Sequence, residues 1–154
     1  MLQHHFIAVA RQIPKKLAFI DIATNREISY RQALTASFIL ARRLRRFEKG
    51  SIGIMLPSSA GAALATLGAL IAGLTPVMIN YSTGAEKNCH FAQSKCDFRT
   101  VITTAPLLEK CNCPLLPEMV LLAEMLGQQS LYEKVVTTLK TRLPLWLVRT
   151  CSGK

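Results

Sequence analysis

Residues 50–85 read GSIGIMLPSSAGAALATLGALIAGLTPVMINYSTGA and contain no charged side chain. The stretch opens with a short apolar run, residues 52–56, which Pro57 stops. Residues 60–72 are rich in Ala and Leu and are helix-prone, and Gly73 closes them. Residues 77–80 (VMIN) form a second apolar run, opened by Pro76. Short strand, helix and short strand, each buried on most faces, make a βαβ crossover of the kind that sits in the core of an α/β domain. Such units often border a ligand crevice.

The same stretch is long enough to be weighed as a membrane span. Ala, Gly, Ser and Thr dominate it, prolines stand near both ends, and Gly61, Gly68 and Gly73 lie inside. Those features favour a soluble core over a span.

Outward from this unit the pattern continues. Residues 2–12 read as an amphipathic helix that ends before Pro14, and residues 17–22 as a strand. Residues 24–26 signal a turn, and residues 27–29 extend out of it. Ser29 and Gln32 have capping-box spacing. The helix after them, residues 30–47, sets Ala33, Leu34, Ser37, Phe38, Ala41 and Leu44 on one face. Downstream, residues 85–95 form a polar helix with Phe91 and Ala92 expected to face inward. Residues 99–103 are a β-branched strand, 105–110 a short helix, and 111–117 a loop. Residues 119–122 are a further strand and 123–130 a connection; residues 131–143 form an amphipathic helix ended by Pro144. Strand and helix alternate, so the fold class is α/β, a mostly parallel sheet flanked by helices.

The chain has 154 residues and a net charge of +10. Arg42, Arg43, Arg45, Arg46 and Lys49 concentrate part of it. Positive charge in the last turns of a helix complements the helix dipole, which is a structural reason for the cluster without nucleic acid. A basic surface also suits an acidic carrier protein or anionic lipid. Five cysteines with irregular spacing, and no secretory leader at the N-terminus, point to a reducing, cytoplasmic compartment.

The search for chemistry is mostly empty. Cys111 and Cys113 beside Cys89 and His90 lack zinc-site spacing. His4, His5 and His90 have no acidic partner at motif spacing. Ser58 and Ser59 follow a strand and precede a helix, without the glycines of a nucleophile elbow. The junction at residues 56–59 could offer backbone N–H groups to an anion, but an ordinary capped helix start accounts for it. Ser152, Gly153 and Lys154 mimic the end of a phosphate loop; Val148 stands where its first glycine belongs.

Taken in order, the segments resemble the N-terminal part of the acyl-adenylate-forming ligases. The likeness begins with Phe-x-x-x-Ala-Arg at residues 6–11, then Pro14 and residues 17–21, and continues through Ile28-Ser29-Tyr30. It is clearest at residues 51–104, where LGALIAGLTPVMIN (67–80) is similar to the family's LxAxxAGxxPVxxN motif. The run NYSTGA (80–85) resembles the acyl-acyl-carrier-protein synthetases, a branch often joined to a 2-acylglycerophosphoethanolamine acyltransferase. The resemblance implies an N-terminal subdomain over residues 1–143, with a tail at 144–154 that stops before the phosphate-binding loop. It implies activation of a fatty acid by ATP and magnesium to acyl-AMP, then transfer to a thiol of acyl carrier protein or coenzyme A. The family's Thr-Ser-Gly phosphate loop, magnesium-coordinating glutamate and catalytic lysine have no counterpart here. No catalytic, cofactor-binding or metal residue is therefore carried over, and the chain alone is expected to be inactive. The implied partners are the remainder of the ligase and an acyl carrier protein docked on Arg42, Arg43, Arg45 and Arg46. The alternative is a stand-alone interaction module, or one half of a split ligase, at the inner face of the membrane. A small Rossmann-like nucleotide binder is the remaining reading, and the absence of Gly-x-Gly-x-x-Gly after a strand weakens it.

Overall fold

A computed structural model describes residues 1–22, 24–47 and 49–127. Helix α1 (Leu2–Gln12) leads to the strands β1 (Leu17–Asp21) and β2 (Arg26–Ser29) and the long helix α2 (Tyr30–Phe47). Then come β3 (Ser51–Ile54), α3 (Ala60–Ala72), β4 (Thr75–Met78), α4 (Ala85–Cys96), β5 (Val101–Thr103), α5 (Ala105–Lys110), β6 (Met119–Leu121) and α6 (Leu122–Gly127).

The sheet is parallel and four-stranded, in the order β4-β3-β5-β6. β3 pairs with β4 from Ser51↔Thr75 to Ile54↔Met78 and with β5 through Gly53↔Val101 and Ile54↔Ile102. Helices cover both faces, as expected. On one face Ile52, Ile54 and Ile102 pack with Leu40, Leu44, Ala65 and Ala69 of α2 and α3. On the other, Met55, Val101 and Cys89 pack with Leu107 and Leu108 of α5. Each fully buried Leu or Ile contributes roughly 1.5–3 kcal/mol. A separate antiparallel hairpin, β1 with β2, stands apart from the sheet. Its turn holds Asn25 at positive φ (49°), a conformation Asn tolerates.

Local chemistry explains the boundaries. Ser29 and Gln32 form the reciprocal cap at the start of α2: the Ser29 N–H donates to Gln32 Oε1 at 2.8 Å, and the Gln32 N–H to Ser29 Oγ at 3.4 Å. α3 begins at Ser59, whose Oγ accepts from the Ala62 N–H at 3.2 Å, and ends at Gly73 in the left-handed conformation (φ 86°). Among the described residues the most extensive helix pairing is α2 on α3, and Gly68 lets the two approach: a Cβ there would lie 2.7 Å from Leu40 Cβ.

Two expectations are corrected and one is extended. Phe91 does not face the core; it is 62% exposed, with the Lys95 ammonium 5.8 Å from its ring centre. Ala85 and Cys89 are the buried residues of α4. The buried face of α2 also takes in Ile39 and Leu40, because this helix packs against both α3 and the sheet. The connection after β6 begins with a helical segment, α6, which buries Leu122 and Met125. The amphipathic helix read at 131–143 and the tail at 144–154 lie outside the described residues. Among the described residues no helix is long and apolar enough to cross a membrane.

Candidate functional site

The strand order fixes where a site can form. From β3 the chain crosses to β4 on one side, then returns past β3 to β5 on the other. The connections therefore diverge between β3 and β5, and the crevice beyond the carboxyl ends of those strands is where open α/β sheets bind ligands. The loop leaving β3, with Pro57, Ser58 and Ser59, runs into α3 at this place. An open groove of about 520 Å³ lies beside it, lined by Phe19, Ile20, Asp21 and Ile22 of the hairpin and by Ser58, Ser59 and Ala60.

The groove carries an anion already. Asp21 Oδ2 accepts from the Ala60 N–H at 3.3 Å, and Asp21 Oδ1 accepts from the Thr24 N–H at 3.3 Å. Ser59 Oγ accepts from Ala62 and donates to the Pro57 carbonyl at 3.1 Å. The amides at the start of α3 are thus served by a carboxylate and a hydroxyl of the same chain, which is the capped-helix reading of residues 56–59. A carboxylate at the helix N-terminus also repels a phosphate there. These residues do not fit Mg-ATP, and no group of three or more His, Cys, Asp or Glu suited to a metal occurs among the described residues. Asp21 is the residue that sequence reasoning missed. Its contact spans 39 positions, and no local pattern announces it.

The other candidates are scattered. His4 and His5 lie on α1. His90 is on α4, with Nε2 3.9 Å from Glu86 and Nδ1 3.9 Å from Glu118. Cys89 and Cys113 are buried free thiols, and Cys111 is half-buried. Burial, followed by the nearby Glu118 and Cys113, pushes the Cys89 thiol up to about 11. It is protonated and unreactive at neutral pH, the opposite of a catalytic thiolate. Ser152, Gly153 and Lys154 lie outside the described residues.

The basic cluster proves partly structural. Arg45 Nη2 donates to the Ile71 carbonyl at 2.9 Å and Nε to the Ala72 carbonyl at 3.4 Å, closing the C-terminus of α3. Arg43 Nη1 donates to the carbonyls of Glu124 and Met125 in α6. Positive charge at a helix C-terminus, with bonds to its last carbonyls, fastens neighbouring elements. Arg46 and Lys49 stand exposed beside them.

Solved structures share the fold. The AMPPNP-bound form of the nonribosomal peptide synthetase FmoA3 superposes with a TM-score of 0.72 at 19% identity, over 84% of this chain and 14% of that one. The inhibitor-bound N-terminal domain of FACL13 from Mycobacterium tuberculosis gives 0.66 at 20% identity, over 83% of this chain and 36% of that one. A fatty acyl CoA synthetase from Mycobacterium tuberculosis gives 0.67 at 19% identity, over 83% and 28%. The chain therefore spans from about a seventh to little more than a third of the structures it resembles. The family model for AMP-binding enzymes matches residues 6–143. With the parallel sheet, the flanking helices and this match in place, the chain belongs to the AMP-binding enzyme family and has the fold of its N-terminal lobe.

Proposed function

We propose that residues 1–143 are the N-terminal lobe of a fatty-acyl-adenylating ligase and supply scaffold rather than chemistry. The carrying observation is the order of motifs from residue 6 to residue 104. Residues 6–11 lie on α1, 17–21 on β1 and 67–72 on α3, while the run at 80–84 lies in the loop before α4. The run at 80–85, similar to acyl-carrier-protein synthetases, supports a fatty acid over an amino acid. In this reading the fatty acid carboxylate attacks the α-phosphate of Mg-ATP and pyrophosphate leaves; a carrier thiol then attacks the acyl carbon of the acyl-adenylate, the thioester forms and AMP leaves. The groups that touch ATP and magnesium belong to the remainder of the ligase. The setting is cytoplasmic, at or near the inner face of the membrane.

An acidic acyl carrier is the proposed acceptor, and Arg46 with Lys49 is its docking point. Arg43 and Arg45 are engaged with backbone carbonyls. Pyrophosphate exchange by the complete ligase that carries this lobe tests the reaction. Exchange driven by fatty acids and not by amino acids is the expected result; exchange driven by amino acids alone refutes the fatty-acid assignment.

A further inference from the structure

The β1–β2 hairpin is not joined to the four-stranded sheet, and a two-stranded ribbon is marginal by itself. Its open end is fastened at the start of α2. There the Tyr30 N–H donates to the Lys16 carbonyl at 2.9 Å, and the Arg31 N–H to the Pro14 carbonyl at 3.0 Å. Midway, Ala18, Phe19 and Ile28 pack on the core beneath α2 and α3. The turn end has little such packing: Ile20 is 65% and Ile22 90% exposed. Asp21 stands between them and holds this end to the start of α3, through Oδ2 and the Ala60 N–H. Its other oxygen accepts from the Thr24 N–H and fixes the turn. Only a carboxylate offers both acceptors; an asparagine would turn an amide donor toward one of the two N–H groups.

We infer that Asp21 is a positioning residue of the crevice at the carboxyl end of β3. One carboxylate latches the turn end of the hairpin to α3 and thereby sets the loop of Pro57, Ser58 and Ser59 that borders the crevice. The same charge fills the place at the helix start that a free phosphate would otherwise take. The inference rests on the reading of this lobe as the frame of an adenylating site. In that reading the phosphates of ATP are held by the remainder of the ligase, and an open helix start here would draw them to a place without chemistry.

Two measurements on the purified chain test the latch without reference to any reaction: calorimetric titration with inorganic phosphate, and hydrogen exchange read by mass spectrometry. The wild type should show no saturable phosphate binding, whereas Asp21→Ala should bind at least about tenfold more tightly. Exchange should quicken at residues 17–29 and 57–62 and stay unchanged at residues 33–44, where α2 packs on α3. Asp21→Asn, which keeps the side chain's shape and one acceptor, should lie between the two in both measurements. Phosphate binding by the wild type as tight as by Asp21→Ala overturns the inference, as does unchanged exchange at residues 17–29 in both variants. In the complete ligase, kcat/KM should fall about tenfold in Asp21→Ala and stay unchanged in Ile71→Val, a core change away from the groove. An unaltered kcat/KM in both Asp21 variants removes the positioning role. A ligase driven by amino acids alone refutes the proposed substrate and leaves the latch standing.

Discussion

Gly68 and Gly53 hold the lobe at its tightest points. Gly68 faces Leu40 Cβ, which cannot swing aside, so Gly68→Ala must push α2 from α3. At Gly53 an added Cβ would lie 2.7 Å from the Phe98 ring and 2.9 Å from Val101 Cγ2. Overpacking of this kind costs about 1–3 kcal/mol. Denaturant unfolding should show that loss in both variants, and almost none in Gly127→Ala, where none of the described residues beyond its chain neighbours and its own helix lies within 4 Å. Loss of the α3 cap in Ser59→Ala should cost about 1 kcal/mol in the same assay. The buried Cys89 thiol gives a pH signature. Its folded value is raised from 9.0 to about 11, so its contribution to stability is fully present below pH 9. That contribution is lost as pH rises through 11, because the unfolded chain releases the proton first. Cys89→Ser should flatten the alkaline limb of the stability profile relative to wild type.

Among the elements, α2 shows how one sequence feature can serve two purposes. The arginine run is at once a dipole complement, a set of ties to α3 and α6, and a basic surface. Reversing the charge of Arg43 and Arg45 should lower the melting temperature, because the carbonyls of Ile71, Ala72, Glu124 and Met125 lose their donors. Reversing Arg46 and Lys49 should leave melting unchanged and weaken carrier binding in the complete ligase; unchanged carrier affinity in a calorimetric titration removes carrier docking from this helix. The bounds of α1, α2 and α3 were legible because their punctuation is local: Pro14, the Ser29–Gln32 box, Ser59 and Gly73. The orientation of α4 was not legible, since its polar sequence offers few apolar positions from which to read a face. α6 escaped notice because six residues are too few for a helical period to stand out. The Asp21–Ala60 bond was hidden for a different reason: tertiary packing makes it, and spacing along the chain does not.

At the scale of the molecule, the lobe is a parallel sheet with helices on both faces and a groove whose helix start is already neutralised by Asp21. Asp21→Asn would leave the α3 amides with a neutral acceptor and remove the charge that repels phosphate. In the proposed function this lobe frames an adenylating site and holds no nucleotide by itself. Isothermal titration of the purified chain with Mg-ATP, with a fatty acid present, should then give no saturable heat of binding. A saturable heat would overturn that proposal, by placing a nucleotide site within these residues.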